Sequence, residues 1–526
     1  MGKRLLILII WIFAICWIFS ACLQTQWISR IYSRSMGAPE KYVSDLIQGQ
    51  AQPPPSFPII IIPKVAFEWA ICIFCVLIYF LFKNSKFNII AKCKQYIVRH
   101  QKWAIIAIII LGFSLRVSWL IYANPESWSD ANDYRRLGWE LATGQLYQSH
   151  NNPTFRPPGY PFLLSLAYQS GLSRDLGARV VDTSLGVAFP IILGLIAWLL
   201  AGRRAGLLTL FVTMINPIMI CYAGNSLSEI PYCFFFYAAL LLFLLAIIKF
   251  RGWIGSSAWL GGGLCLGYAA LIKPLAVVAL FPIICYAVYN LKKSRRSYLI
   301  PSILILVGSL LVIFPWSIRN YKTHHRVVLI STNGGEIFYS ANVTNVLWKG
   351  GGYNEEGHIS LRNIEPDPVA RDRLAFRLGL KWILSHKIIF IKSFPYRLLR
   401  LFESYNYACH TWFAIVRKVI PWPVTSSLLA TLLLLPIFLI IRSKFIVISL
   451  WKSAEMKFIG SLYILYFPVI LLFETYSRSN FPYSFLLLLL ITCSFGEKQN
   501  TQGLKKAIDG SACSGPPSAS GALNSR

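Results

Sequence analysis

The apolar positions of this chain run in blocks of about 15–20 residues, and the blocks are closed by clusters of Lys and Arg. A block of that length matches an α-helix crossing the hydrocarbon core of a bilayer. The pattern predicts twelve spans, at about 5–23, 65–82, 103–123, 184–201, 207–224, 230–249, 257–272, 275–290, 299–316, 424–441, 458–474 and 482–495. The expected fold class is an all-α polytopic membrane protein.

The basic residues orient these spans. With the N-terminus inside, the short cytoplasmic connections carry Lys83, Lys86, Lys92, Lys94, Arg99 and Lys102, then Arg203 and Arg204, then Lys249 and Arg251. The later ones carry Lys292, Lys293, Arg295 and Arg296, and finally Arg442, Lys444, Lys452 and Lys457. The external turns near 225–229, 273–274 and 475–481 hold very few, as the positive-inside rule requires. The expected placement is the cell (inner) membrane, multi-pass, with both termini cytoplasmic. Of the 21 acidic residues only Glu455, Glu497 and Asp509 then face the cytoplasm. Chemistry that needs carboxylates therefore belongs to the external face, and there is no Walker A or HExxH sequence to argue otherwise.

Composition narrows the class further. The 526 residues are 56% apolar and 14% charged, with a mean hydropathy of +0.56. Soluble domains carry about a quarter charged residues. A soluble enzyme, a disordered chain and a disulfide-stapled secreted domain are excluded. The net charge of +30 falls between the apolar blocks, so topology and anionic headgroups account for it and no nucleic-acid partner is expected. Most of the twelve cysteines sit inside apolar blocks as small hydrophobes. Cys72 and Cys75 form a CxxC without a second ligand pair nearby, so neither redox nor metal chemistry is expected there.

The organisation expected from these features has five parts. Residues 1–100 form an N-terminal extension with two spans, and residues 101–320 a transmembrane core with a large external loop at 124–183. Residues 321–423 form a second external region, whose amphipathic run at 379–402 suits a helix lying in the membrane interface. Residues 424–495 hold the last spans and 496–526 a flexible cytoplasmic tail rich in Gly, Ser and Pro. The basic start Met1-Gly-Lys-Arg before an apolar stretch reads either as a retained first span or as a signal peptide.

Candidate chemistry gathers at the external ends of the spans. The first loop carries Ser129-Asp130-Ala131-Asn132-Asp133-Tyr134, and helical spacing would put Asp133 and Tyr134 one turn beyond Asp130. Arg156-Pro157-Pro158-Gly159-Tyr160-Pro161 follows as a rigid turn with a guanidinium at its mouth. Glu229, Lys273, Arg319 and Arg478 stand at other external ends. Singly, each reads as a helix cap or a snorkelling anchor. Together they place carboxylates and cations at one depth, which suits an anionic, lipid-borne substrate. Glycosyl transfer from a polyprenyl-phosphate sugar needs a carboxylate to take the acceptor's proton, the role expected of Asp130, and cations to hold the departing phosphate. Arg156, Lys273, Arg319 and Arg478 are candidates for the phosphate.

The ordered set also resembles a known family. The run Asp130 to Tyr134, Gly144, Arg156 to Pro161, Ser228-Glu229, Leu271-Ile272-Lys273-Pro274, Pro315-Trp316-Ser317-Ile318-Arg319-Asn320-Tyr321 and Ser331-Thr332-Asn333-Gly334-Gly335 is similar to bacterial membrane glycosyltransferases of the dolichyl-phosphate-mannose protein mannosyltransferase type, glycosyltransferase family 39. It covers about 103–495. The resemblance implies the GT-C fold, membrane-parallel helices in the first external loop, a polyprenyl-phosphate sugar donor, transfer with inversion, and Asp130 as base. It also implies a second acidic residue near the site, here Glu229. Lys273 stands where an Arg is common in the family, and residues 1–100 have no counterpart in it.

The acceptor, whether protein, lipid A or another glycolipid, is unassigned by the sequence. Competing readings are a lipid-linked sugar transporter or flippase, a glycan ligase or polymerase, and an inactive scaffold subunit. Transport would call for polar groups near the bilayer midplane, whereas here the ionisable residues gather at one face. Asp130, Asp133 and Glu229 leave a divalent cation open as a cofactor without forming an oxygen cage. His324 and His325 are expected to be solvated, Asn342-Val343-Thr344 is a glycosylation sequon, and Tyr134 and Tyr160 are candidates to stack on a sugar ring.

Overall fold

Blocks without internal caps or charged faces can satisfy their backbone in lipid only as continuous helices. The computed structural model describes residues 101–494 apart from 126, 128–129, 150, 294–297, 344–360, 389, 392, 395–396, 398–453 and 474–476. The spans expected at 5–23, 65–82 and 424–441, the extension 1–100 and the tail 496–526 lie outside the described residues. What is described is helix and turn, with an isolated bridge between Ser149 and Asn152 as the sole strand-like pairing.

Seven of the described helices are long and apolar enough to cross a membrane. They are α1 (Gln101–Ala123) and, after the helices α2 (Asp130–Ala142) and α3 (Gly159–Gln169) of the first long loop, α4 (Arg174–Ala201). After α5 (Arg203–Met214) and α6 (Pro217–Cys221) come α7 (Glu229–Ile248), α8 (Gly252–Ile272), a 3-10 turn at Pro274–Ala279 running into α9 (Leu280–Lys293), and α10 (Leu299–His324). Beyond α11 (Gly334–Asn342) and α12 (Pro368–Ser385), α13 (Ala454–Phe473) completes the seven and α14 (Ser477–Ser494) follows it. The protein is an all-α multi-pass membrane protein.

Several expected boundaries move, each for a local reason. The span expected at 184–201 starts earlier, at Arg174, where the Ser173 side chain accepts from the Leu176 amide as an N-cap. The span expected at 299–316 continues to His324. The span expected at 207–224 is corrected: it is not one helix but α5 and α6, broken at Ile215-Asn216. Asn216 leaves helical geometry and its side chain caps Ile218 and Met219, while Pro217 has no amide with which to continue the ladder. The buried Arg116 of α1 donates to the Met214 carbonyl at this break, at 3.1 Å. The amphipathic run expected at 379–402 divides between α12 and the residues after it, and 398–402 lie outside the described residues. Its first residues belong to α12, which ends at Ser385 with His386 as C-cap; Gly379 and Trp382 are buried against protein, while Leu380 and Leu384 stay exposed.

Close backbone approach sets the packing of the central helices. A Cβ on Gly263 or Gly267 of α8 would come within 2.5 Å of the Ile305 carbonyl oxygen and 2.6 Å of that of Ser309 on α10, and one on Gly308 within 2.6 Å of that of Leu260. Small residues therefore let the two helices touch main chain to main chain. A tyrosine cluster ties α7 to the last spans. Tyr232 and Tyr483 share a hydroxyl bond of 2.9 Å, Tyr237 donates to the Pro482 carbonyl, and Tyr466 stacks on Tyr483 with ring centres 4.2 Å apart. Outside this core α11 and α12 pair through the buried Arg371–Glu336 ion pair at 2.8 Å, with Gly379 seated against Phe338.

Replacing Gly267 with Val should push α8 off α10 and lower the thermal stability of the purified protein by about 1–3 kcal/mol, the usual cost of overpacking. Unchanged melting would show that the contact is not as tight as the distances state.

Candidate functional site

The first turn of α2 carries two carboxylates, Asp130 and Asp133, where the helix N-terminus favours negative charge. Arg156 enters between them. Its Nη2 donates to Asp130 Oδ1 at 2.6 Å and its Nε to Asp133 Oδ2 at 3.0 Å. Asp133 also accepts from Ser149 Oγ at 2.5 Å and from Arg136 Nη2 at 2.6 Å. Arg136 in turn pairs with Glu140. Asp130 keeps 24% of its side chain exposed and Asp133 only 15%.

The loop that delivers Arg156 is folded by its own residues. Ser149 and Asn152 exchange backbone hydrogen bonds around Asn151, which takes a left-handed conformation (φ 56°) that Asn tolerates well. The Tyr147 hydroxyl donates to the carbonyls of Arg156 and Pro157. The Arg156 guanidinium then lies 5.3 Å from the centre of the Tyr134 ring, and that ring meets Tyr160 edge-on, also at 5.3 Å. Both tyrosine rings are buried, Tyr160 completely, and they form the floor under Arg156.

The electrostatics follow from this packing. Burial pushes the Asp133 carboxyl up, but the Arg156 charge and the hydrogen bonds from Ser149, Arg136 and Arg156 outweigh it and hold the group below its ordinary value. For Arg156, burial favours loss of the proton, and the charges of Asp130 and Asp133 overcome it, so its ionisation is pushed above the usual arginine range. Burial also raises the phenol of Tyr147.

Glu229 and Lys273 form a second pair, Nζ to Oε1 at 2.9 Å, with Glu229 fully buried and Lys273 23% exposed. Glu229 opens α7 and Lys273 closes α8, so each charge complements its helix dipole. The turn after Arg156 seats directly against this corner. A Cβ on Gly159 would lie 2.8 Å from the Leu271 carbonyl carbon and 2.9 Å from the Ile272 nitrogen, and the Tyr268 hydroxyl donates to the Gly159 carbonyl at 2.8 Å. Only glycine fits there. Arg319 contacts the same loop from α10, donating to the carbonyls of Pro153 at 2.7 Å and Tyr147 at 3.3 Å while lying over Trp316. Arg478 falls in the first turn of α14, and its side chain is outside the described residues. The half-buried His324 meets Thr154 Oγ1 at 3.0 Å, and His325 is exposed.

The structure thus joins Asp130, Asp133, Tyr134 and Arg156 directly, sets Glu229 and Lys273 beside their turn, and braces the loop with Arg319. It also recruits residues the motifs did not single out. Asp182 of α4, nearly fully buried, accepts from the Tyr160 hydroxyl at 2.5 Å and from the Ser226 amide at 2.8 Å. Arg135, on the other face of α2, donates to Ser226 Oγ, to the Gly224 carbonyl and to Asp175. Beside it lies an open polar cavity of about 370 Å³. An acidic residue at the edge of an apolar run is itself a signal, and Asp182 carries it.

A family model, dolichyl-phosphate-mannose-protein mannosyltransferase, matches residues 155–318. The resemblance read from the motifs holds across this segment. It includes Arg156, Glu229, Lys273 and α10 as far as Ile318, so it ends just before Arg319, and it begins after the carboxylates of α2. A search of curated proteins found no match. Among solved structures the chain is similar to the archaeal oligosaccharyltransferase AglB from Archaeoglobus fulgidus, in complex with an inhibitory peptide and a dolichol-phosphate. That match has 14% identity and a TM-score of 0.48, over 79% of this chain and 53% of that one. It is also similar to ArnT from Cupriavidus metallidurans bound to undecaprenyl phosphate, with 14% identity and a TM-score of 0.35, over 80% of this chain and 81% of that one. The chain spans about half the length of the oligosaccharyltransferase it matches. At such identity no residue's role is carried across.

Because Asp133 is held below its ordinary pKa, it adds stability above the carboxylate range and loses that contribution as the pH falls through it. Thermal unfolding in lipid nanodiscs should show the natural chain more stable than Asp133→Asn at about pH 7, with a narrower gap at about pH 3. An equal gap at both values would contradict the ion-pair account.

Proposed function

We propose that the protein is a glycosyltransferase that moves a sugar from a polyprenyl-phosphate donor to an acceptor hydroxyl at the extracytoplasmic membrane face, the acceptor being a protein, lipid A or a glycolipid. The observation that carries this reading is the Arg156-bridged pair Asp130 and Asp133, with Arg156 inside the segment matched by the mannosyltransferase family model. In the transfer, the acceptor oxygen bonds to the anomeric carbon as the bond from that carbon to the phosphate oxygen breaks. The polyprenyl phosphate leaves with the electron pair, and Asp130 takes the hydroxyl proton as general base. Arg156 orients the base, and the same loop is braced by Arg319. Lys273, Arg319 and Arg478 are the cations proposed to meet the departing phosphate, with Asp133, Tyr134 and Glu229 completing the substrate-binding set.

We propose that the site works without a divalent ion. The place between Asp130 and Asp133 is filled by the Arg156 guanidinium, Glu229 is engaged by Lys273, and among the described residues no group of three His, Cys, Asp or Glu could hold a metal. We therefore assign the positive charge at this carboxylate pair to Arg156.

With purified protein in lipid and a panel of radiolabelled polyprenyl-phosphate sugars, Asp130→Asn should lower release of polyprenyl phosphate by at least about a hundredfold, the lower range for a general base. The variant should keep normal insertion and melting, and near-normal turnover by it would remove Asp130 from the base role. Chelation with EDTA should leave the turnover of the natural enzyme unchanged. Loss of activity restored by a divalent cation would overturn the assignment of that charge to Arg156.

A further inference from the structure

Helix α12 has three faces rather than two. Ala375, Gly379 and Trp382 are buried against α11. Next to them Phe376, Leu380 and Leu384 repeat every four residues and stay exposed, at 42%, 43% and 57%. Arg373, Arg377 and Lys381 repeat with the same spacing on the far side of that apolar stripe, and all three are exposed. At 100° per residue the order around the helix is protein contact, apolar stripe, basic stripe. An exposed helix in water has no use for three large apolar side chains in a row.

The charge on this helix is one-sided. The sole carboxylate beyond the N-cap is Asp372, and its Oδ1 is turned inward to accept from the amides of Gly335 and Glu336. From Arg373 to Phe402 the sequence contains no Asp or Glu, while Arg373, Arg377, Lys381, Lys387, Lys392, Arg397 and Arg400 all fall within it. Arg397 is spent internally on the carbonyls of Ala341 and Leu471. Helix α12 itself is held rigidly at its start, where Asp367 caps Val369 and pairs with Arg326, and along its length by Arg371 and Glu336.

We infer that α12 is a docking surface for anionic phospholipid headgroups, with Phe376, Leu380 and Leu384 in the acyl boundary and Arg373, Arg377 and Lys381 on the headgroup phosphates. The order of stripes is the one an interfacial helix needs: apolar side chains beside the protein body at the membrane edge, and cations one step further toward water. Anionic headgroups match three adjacent exposed cations with no competing carboxylate on the same face. A second protein would have to offer an acidic, apolar surface of the same pitch, and a second copy of this basic face would repel the first.

The test uses the full chain in nanodiscs of phosphatidylcholine with about 30 mol% phosphatidylglycerol. A benzoylphenylalanine photocrosslinker replaces Leu384, or Phe314 on α10 as a reference exposed on a membrane span. Mass spectrometry reads the adducts. The expected result is lipid adducts at both sites, with phosphatidylglycerol enriched about threefold over its mole fraction at position 384 but not at 314. The triple variant Arg373→Gln, Arg377→Gln, Lys381→Gln should abolish the enrichment while leaving melting unchanged, because none of the three takes part in the packing of α12 on α11. Lipid adducts at 314 but none at 384 would place the face in water and overturn the proposal. Lipid adducts at 384 without phosphatidylglycerol enrichment would reduce it to hydrocarbon contact and overturn the headgroup assignment. Protein–protein adducts at 384 would assign the face to another chain and overturn it as well.

Discussion

One guanidinium placed between two carboxylates organises the helix ends and the loop gathered around it. Arg156 sits where Asp130 and Asp133 would otherwise repel each other at the start of α2, and it is almost wholly enclosed by them, by Phe155 and by the ring of Tyr134. A cation in that position, with little water to screen it, fixes its partners far more firmly than a surface pair would. Everything nearby serves to bring it there: the Ser149–Asn152 turn, the Tyr147 hydroxyl on the Arg156 and Pro157 carbonyls, and Gly159 pressed on the end of α8. Without the bridge, three acidic groups of α2 would crowd one helix face against a single remaining cation, Arg136.

The same loop links the two charge centres of the site mechanically. Gly159 lies against Leu271 and Ile272, and Lys273 follows them directly to pair with Glu229. A movement of α8 relative to α7 therefore reaches Arg156 through a main-chain contact rather than through a flexible side chain. On the opposite face of α2, Arg135, Ser226 and Asp182 tie the helix to α4 and to the turn before α7, with Tyr160 shared between both sides. The site is built from the ends of long helices and from one loop that they clamp at several points.

Much of this was legible from residue order, and the exceptions have physical causes. Long apolar blocks announce membrane helices because length and lack of charge suffice for that, so α1, α4, α7, α8 and α10 stand close to where they were expected. The span at 207–224 misled because apolar content alone does not register that Asn216-Pro217 supplies both a cap and a missing amide. The carboxylates of α2 and the Arg-Pro-Pro-Gly turn could be singled out as chemistry, yet nothing in their spacing says that Arg156 points back to Asp130 rather than outward. Tyr134 and Tyr160 look like sugar platforms in a loop sequence. Only packing shows that Tyr160 is sealed beneath and hydrogen-bonded to Asp182. Asp182 and Arg116 also qualify the view that ionisable groups keep to one face, since both lie buried within the helices α4 and α1.

Arg116 has a consequence for how the protein reaches its membrane. On its own, α1 would carry a guanidinium into hydrocarbon at a cost of at least about 2.5–3.5 kcal/mol. Its partners outside its own helix come from the chain end of α5, where the Met214 carbonyl has lost its helical donor to the break at Asn216. Each element thus supplies what the other lacks: α1 brings surplus donors and α5 an orphaned acceptor. Neither is well suited to being released into lipid alone. Packing α1 on the end of α5 answers both needs at once, across a separation of 98 residues in the chain.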